Sequence, residues 1–208
     1  MDKVIVIGAG IMGAALARHF LAAGHPVALI DPVEAARATA AEGISDAPGC
    51  VLAPSVEVLE NDWQRCSFVI EAVPERLDLK RAVLSELSQH FGPETAIASN
   101  TSGLRAADLA RGLTHRERFA ITHFFNPTDI VPAVELVPAP QTSRKTLDRW
   151  EALLEGSGKK VARLGADLPG FVANRLQHAM GRECFHLIEA GVIDGRRYGH
   201  LKLSTLAK

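Results

Sequence analysis

Apolar positions along this chain keep two rhythms that take turns. Short runs of four or five apolar residues alternate with longer stretches in which apolar residues recur every three or four positions. The first run, residues 3–7, carries Val4-Ile5-Val6-Ile7 and predicts a buried strand. A helical period follows to about Ala23. Gly24-His25-Pro26 then stops the helix, since glycine suits its C-terminal cap and proline cannot continue it. Residues 27–30 predict a second strand, 33–42 its crossover helix, and 50–53 and 68–73 further strands. A long amphipathic helix over 77–90 ends at Phe91-Gly92-Pro93, and 96–99 predicts the next strand. Residues 104–110 read as a short helix, 119–122 and 133–137 as strands around a proline-containing loop. Residues 147–154 read as helical and 160–164 as extended. Pro169-Gly170 opens a last helix reaching about Ala190. Strands alternating with helices make a parallel sheet with helical crossovers. The expected architecture is a doubly wound α/β domain over 1–167, followed over 168–208 by the start of a helical segment.

The turn after the first strand is Gly8-Ala9-Gly10-Ile11-Met12-Gly13, a GxGxxG string between a strand and a helix. In that context each glycine has work to do. Gly8 permits the tight turn, Gly10 lets backbone approach a pyrophosphate, and Gly13 lets helix and strand pack closely. The amides of Ile11 and Met12 open the helix and face the phosphates. An acid is then expected at the end of the second strand, and Asp31 stands there. Its carboxylate can accept the adenosine ribose hydroxyls and would repel a 2′-phosphate. Pro32-Val33-Glu34 offer no arginine to neutralise such a phosphate, so the expected fold is of the Rossmann type and the expected cofactor is NAD.

Bulk composition narrows the partners. The 208 residues are 47% hydrophobic and 23% charged, with a formal net charge of -1. That balance argues for a real core and against a basic surface for nucleic acid or anionic membrane. No apolar run approaches the roughly 18 residues of a membrane span. Met1-Asp2-Lys3 leads straight into a strand, so no export signal is expected. Cys50, Cys66 and Cys184 lack CxxC spacing and read as core or half-buried thiols in a reducing, cytoplasmic setting, with no metal site.

Four further segments point to chemistry: Glu71-Ala72-Val73-Pro74-Glu75 with Lys80, Ser99-Asn100-Thr101-Ser102, His123-Phe124-Phe125-Asn126-Pro127 running into Val134-Glu135-Leu136-Val137, and Pro169-Gly170-Phe171-Val172-Ala173-Asn174-Arg175. Together with the glycine turn, they resemble the L-3-hydroxyacyl-CoA dehydrogenase family over about residues 1–192. The resemblance implies NAD-dependent oxidation of the 3-hydroxyl of a 3-hydroxyacyl thioester, a step of fatty acid metabolism. It implies that His123 is the general base and Glu135 its orienting carboxylate. Histidine suits the task because its ordinary pKa is about 6.5. It also implies Ser102 and Asn174 around the reacting oxygen, and Glu75, Lys80, Asn100 and Asn126 along the cofactor and substrate cleft. From the residues alone, Ser102 also reads as an N-cap for the helix after it, and Lys80 as a lysine on a solvated helix face.

Other features resemble the branch of that family acting on small free hydroxy acids, the λ-crystallin/gulonate and carnitine dehydrogenases. Thr122 precedes His123 where the acyl-CoA enzymes have glycine, and the segments 130–138 and 174–178 are similar to that branch. The stretch between Asp31 and Cys50 has room for one helix, whereas acyl-CoA enzymes carry a CoA-contacting helical hairpin there. The resemblance fades after Gly191-Val192-Ile193-Asp194, so a shortened helical segment is expected. Three functions therefore stand open: a 3-hydroxyacyl-CoA dehydrogenase, a dehydrogenase of a small 3-hydroxy acid such as gulonate or carnitine, and an NAD-binding protein with little turnover. Val172, Leu176, Met180, Leu187 and Ile188 line an apolar stripe on the last helix, which predicts a homodimer.

Overall fold

The computed structural model describes residues 1–196. The chain forms two compact units, Met1–Pro169 and a second that starts at Gly170. The last part of the expected segment 168–208, residues 197–208, lies outside the described residues.

In the first unit the strands are β1 (Val4–Ile7), β2 (Val27–Ile30), β3 (Cys50–Ala53), β4 (Phe68–Glu71), β5 (Ala96–Ser99), β6 (Phe119–Phe124), β7 (Ala133–Pro138) and β8 (Lys160–Arg163). The helices are α1 (Ile11–Ala22), α2 (Glu34–Ala41), α3 (Leu77–His90), α4 (Ala106–Leu109) and α5 (Arg144–Gly156). They form one sheet in the order β3-β2-β1-β4-β5-β6-β7-β8. Neighbours from β3 through β6 pair in parallel; β6 and β7 run antiparallel, and β8 follows β7 in parallel. This is the Rossmann-type doubly wound sheet expected from the strand–helix alternation. The order reverses between β1 and β4, and such a reversal opens a crevice at the carboxyl ends of the strands.

Alternate residues of each strand face one core. Val4 and Val6, Val27 and Leu29, Phe68 and Ile70, and Val134 and Leu136 pack with Leu16 and Phe20 of α1 and with Leu147 and Trp150 of α5. The Trp150 ring is fully buried, its centroid 4.7 Å from that of Phe68. Each such aliphatic or aromatic side chain contributes about 1.5–3 kcal/mol by leaving water.

Three boundaries differ from the sequence expectation. Strand β6 extends to Phe124 rather than Thr122, because β7 continues to pair with it past His123. Helix α5 starts at Arg144 rather than Leu147, because Ser143 caps it: its Oγ accepts the Thr146 amide at 3.1 Å. Helix α4 is a single turn whose capping position is Arg105, so the N-cap reading of Ser102 does not hold. The local bonding falls to Thr101, whose Oγ1 accepts the Leu104 amide at 3.0 Å.

Buried cations serve as internal staples. The Arg118 guanidinium donates to the carbonyls of Ser88 and Phe91 at the end of α3, at 2.6 and 2.9 Å, and to those of Gly92 and Thr95 beyond it. Lys159 donates to the carbonyls of Thr128 and, at 3.0 Å, Val131, which ties the β6–β7 loop to the start of β8. The second unit holds α6 (Ala173–Glu189), none of whose residues is buried.

His19, half-buried on α1, has its Nε2 2.9 Å from the Ser157 Oγ. Burial first, then the charge of Lys159 and the nearby His25, lowers its pKa from 6.5 to about 4. A depressed histidine pKa means that the unfolded chain binds the proton first. The stabilisation is therefore complete above about pH 6.5 and is lost as pH falls toward 4. His19→Gln removes this titration, so the gap in urea midpoint between native and variant protein should shrink over that window. A gap that stays constant would place the acid sensitivity elsewhere.

Candidate active site

The glycine turn is sterically committed. Gly8 has φ +101°, and a Cβ there would stand 2.8 Å from the Ala72 carbonyl oxygen. A Cβ on Gly13 would lie 1.7 Å from the Gly8 carbonyl oxygen, so α1 could not approach β1 with any side chain at that position. Gly10 differs, with nothing within 4 Å of where its Cβ would be. That open space lies at the N-terminus of α1, beside the exposed Ile11 and half-buried Met12, where the first-turn amides lack helical partners. A pyrophosphate fits this cradle, and the helix dipole favours its charge.

Asp31, just past β2, folds against the same turn. Its Oδ2 accepts the Ala9 amide at 2.8 Å and its Oδ1 the Val33 amide at 2.9 Å. Sequence reasoning found Asp31 but missed Arg37, which returns from α2 to donate to the Asp31 carbonyl at 2.6 Å. The spacing of six residues carried the signal, since residue 37 sits one turn into α2 on the side facing the strand end.

Next to the glycine turn, the end of β4 carries a buried polar network. Glu71 is fully buried and accepts Lys80 Nζ at 2.7 Å, the Ser99 hydroxyl at 2.5 Å and the Val73 amide at 2.7 Å. Burial pushes its carboxyl up, against the opposing pull of Lys80 and its hydrogen bonds. Lys80 is 1% exposed and also reaches the Val73 carbonyl at 3.0 Å and Glu75 Oε2 at 3.4 Å, so it does not lie on a solvated face. Glu75 in turn accepts the Thr101 hydroxyl and the amides of Ser102 and Gly103, the last two at 3.0 and 3.2 Å. Burial raises its pKa, but those bonds and the Lys80 charge outweigh it and hold the carboxyl below the usual range. Glu71, Ser99 and Thr101 were missed as network members. An acid ending an apolar strand, nine residues before a lysine, was the available clue.

Asn100 joins this network to the next strand. Its amide donates to the Glu71 carbonyl at 2.7 Å, and its Oδ1 accepts the Phe124 amide at 3.0 Å. The neighbouring residue is His123, which stands opposite Glu135 in the antiparallel register. The two side chains meet with Nδ1 2.9 Å from Oε2, both about 95% buried. Phe125 covers the imidazole, the ring centroids being 4.5 Å apart. A carboxylate on Nδ1 places the proton there and leaves Nε2 as the basic nitrogen. Asn126 is exposed at the start of the β6–β7 loop. Asn174 lies half-buried in the first turn of α6, in the second unit. The first unit thus gathers Gly8, Gly10, Gly13 and Asp31 at one turn, and links Glu75, Lys80, Asn100 and Ser102 by hydrogen bonds to the strand that carries His123.

Residues 3–167 match the family model of the 3-hydroxyacyl-CoA dehydrogenase NAD-binding domain. Among curated proteins, the chain is 33% identical over 204 residues to an L-carnitine dehydrogenase of Oceanobacillus iheyensis, covering 92% of this chain and 66% of that protein. It is 34% identical over 201 residues to an L-carnitine dehydrogenase of Streptomyces coelicolor, covering 91% and 63%. The chain therefore spans somewhat less than two thirds of these relatives' length. Among solved structures, a 3-hydroxyacyl-CoA dehydrogenase from Archaeoglobus fulgidus superposes with TM-score 0.86 at 30% identity, covering 97% of this chain and 68% of that one. The (S)-3-hydroxybutyryl-CoA dehydrogenase PaaH1 from Ralstonia eutropha gives TM-score 0.86 at 30% identity, covering 98% and 77%. With its glycine turn, Asp31 and strand order, this chain belongs to the 3-hydroxyacyl-CoA dehydrogenase family, and residues 3–167 are the NAD-binding domain of that family.

Proposed function

We propose that this chain carries the chemical centre of an NAD-dependent dehydrogenase that oxidises the hydroxyl of a small free 3-hydroxy acid of the carnitine or gulonate kind. The observation that supports the chemistry is the buried His123–Glu135 pair on β6 and β7, joined through Asn100 to the strand beside the glycine turn. Bound NAD supplies the acceptor for the substrate's hydride. His123 Nε2 takes the hydroxyl proton as the C–O bond becomes a carbonyl. Glu135 holds the tautomer and offsets the charge that forms on the imidazole. Ser102, on the segment clamped by Glu75, donates to the oxygen of the substrate.

Two observations favour the free acid: both curated relatives above are L-carnitine dehydrogenases, and α2 is the single α-helix between β2 and β3. A second reading, oxidation of a 3-hydroxyacyl-CoA, is favoured by the solved structures that superpose over nearly the whole chain. Turnover on carnitine and gulonate against turnover on 3-hydroxybutyryl-CoA separates them. Activity on the thioester alone would overturn the first reading, and tight NADH binding with no turnover on any would favour a binding protein.

His123→Gln should lower kcat about 10²–10⁴-fold while NADH affinity stays within about twofold, because a general base acts in the transition state. Glu135→Gln should fall in the same range, and the double variant should lose less than the product of the two. Full additivity in steady-state kinetics would break the pair into independent residues.

Asp31 should make NADH bind at least about tenfold more tightly than NADPH. A carboxylate about 4 Å from a 2′-phosphate costs roughly 1 kcal/mol in water and several times that when partly buried. Equal affinities in a fluorescence titration would remove this role from Asp31.

Self-association through α6 is proposed on Val172 at its N-terminal cap and on its Leu176 and Met180, all exposed and at helical spacing. Light scattering at micromolar concentration should give about twice the chain mass of 22.3 kDa. Met180→Glu together with Leu187→Glu should return monomers that still bind NADH. A native mass of one chain would end the proposal.

A further inference from the structure

We propose that Arg37 opposes Asp31 in cofactor selection, so that this chain tolerates a 2′-phosphate better than its carboxylate alone would allow. The two residues form a sign-opposed pair built on one strand end. Asp31 uses each carboxylate oxygen once on backbone, at the Ala9 and Val33 amides. The carboxylate is thereby fixed in direction, yet each oxygen keeps a lone pair for a ribose hydroxyl. Arg37 comes from one turn into α2 and is half-buried. Its Nη1 donates at 2.6 Å to the carbonyl of Asp31 itself.

That bond has two consequences. It anchors the guanidinium to the same residue that carries the carboxylate, so the two opposite charges share one strand end. It also engages a neutral carbonyl, so the positive charge is not cancelled by the bond that places it. Four of the five guanidinium N–H donors remain beyond that bond, and a planar fork of this kind matches phosphate oxygens. The remaining acid of this turn, Glu34, is exposed in the first turn of α2 and adds to the negative side. A 2′-hydroxyl, being neutral, gains little from Arg37. A 2′-phosphate, which carries between one and two negative charges, gains a charge-assisted contact that partly offsets Asp31.

The test compares NADH and NADPH on the whole chain, with binding as the readout. NADH is followed by its own fluorescence and NADPH by displacement of bound NADH up to millimolar concentration. Arg37→Met keeps the apolar stem and removes the charge. It should weaken NADPH about five- to tenfold more than it weakens NADH, and flatten the salt dependence of NADPH binding. Asp31→Asn should tighten NADPH, and adding Arg37→Met to that variant should reverse most of the gain. An equal loss for both cofactors in Arg37→Met would make Arg37 a support of the turn or an adenine-facing group, and would overturn the proposal. So would an unchanged ratio, or NADPH that fails to displace NADH from both the native chain and Asp31→Asn. Failure of the native chain to bind NADH at all would instead count against the cofactor site.

Discussion

Close approach at Gly8 and Gly13 governs the geometry of everything else in the first unit. The Gly8 carbonyl oxygen occupies the space that a side chain on Gly13 would need, and the Gly8 Cα faces the Ala72 carbonyl just past β4. Helix α1 is therefore pressed onto β1, while β1 is seated beside the end of β4, at the point where the strand order reverses. Any larger residue at Gly13 would lift α1 from the sheet. The first-turn amides, the Asp31 contact through Ala9 and the open space over Gly10 would all move with it. Recognition of a pyrophosphate is thus a by-product of how tightly a helix packs.

From that contact, polar groups continue across the strand ends. Ala72 follows Glu71; Glu71 holds Lys80 and Ser99; Lys80 reaches Glu75; Glu75 gathers Thr101, Ser102 and Gly103; and Asn100 bridges to Phe124. Burying Glu71 and Lys80 costs several kcal/mol per ion in desolvation, which their mutual attraction offsets only where the remaining donors and lone pairs are satisfied. Here each has further partners, and removing one side would leave an uncompensated charge in the interior. The pair is better understood as specifying the positions of Glu75 and Ser102 than as a source of net stability.

Much of this was legible in the sequence because the signals are local. The unbroken apolar run Val4-Ile5-Val6-Ile7, the glycine string and the acid just past β2 each depend on neighbours within one βαβ unit. The resemblance to the family then named His123 and Glu135, which the antiparallel register sets side by side and which spacing alone does not distinguish. What escaped is what the chain brings together from afar. The Lys80 environment depends on β4 and β5 lying side by side, so a lysine on an amphipathic helix read as plausibly solvated. Ser102 looked like a cap because the hydroxyl that does the local bonding, on Thr101, is its neighbour. Arg37 is not legible from the residues directly after Asp31, because a helical turn is what carries residue 37 back to the strand end.

The His123–Glu135 pair depends on a different constraint, the reversal of direction between β6 and β7. In the parallel part of the sheet, strands contribute their carboxyl ends to the crevice, and the residues there come from separate loops. An antiparallel neighbour instead sets two residues directly across from each other, with side chains on the same face. His123 opposite Glu135 is such a pair, and the flanking Phe124 and Val134 turn to the other face and into the core. A slip of one residue would send Glu135 into the apolar layer and bring Val134 or Leu136 against the imidazole. Burial of Phe124, Val134 and Leu136 therefore enforces the register that holds a carboxylate on Nδ1. The geometry of the pair is secured by hydrophobic side chains packed in the core on the other face of the sheet.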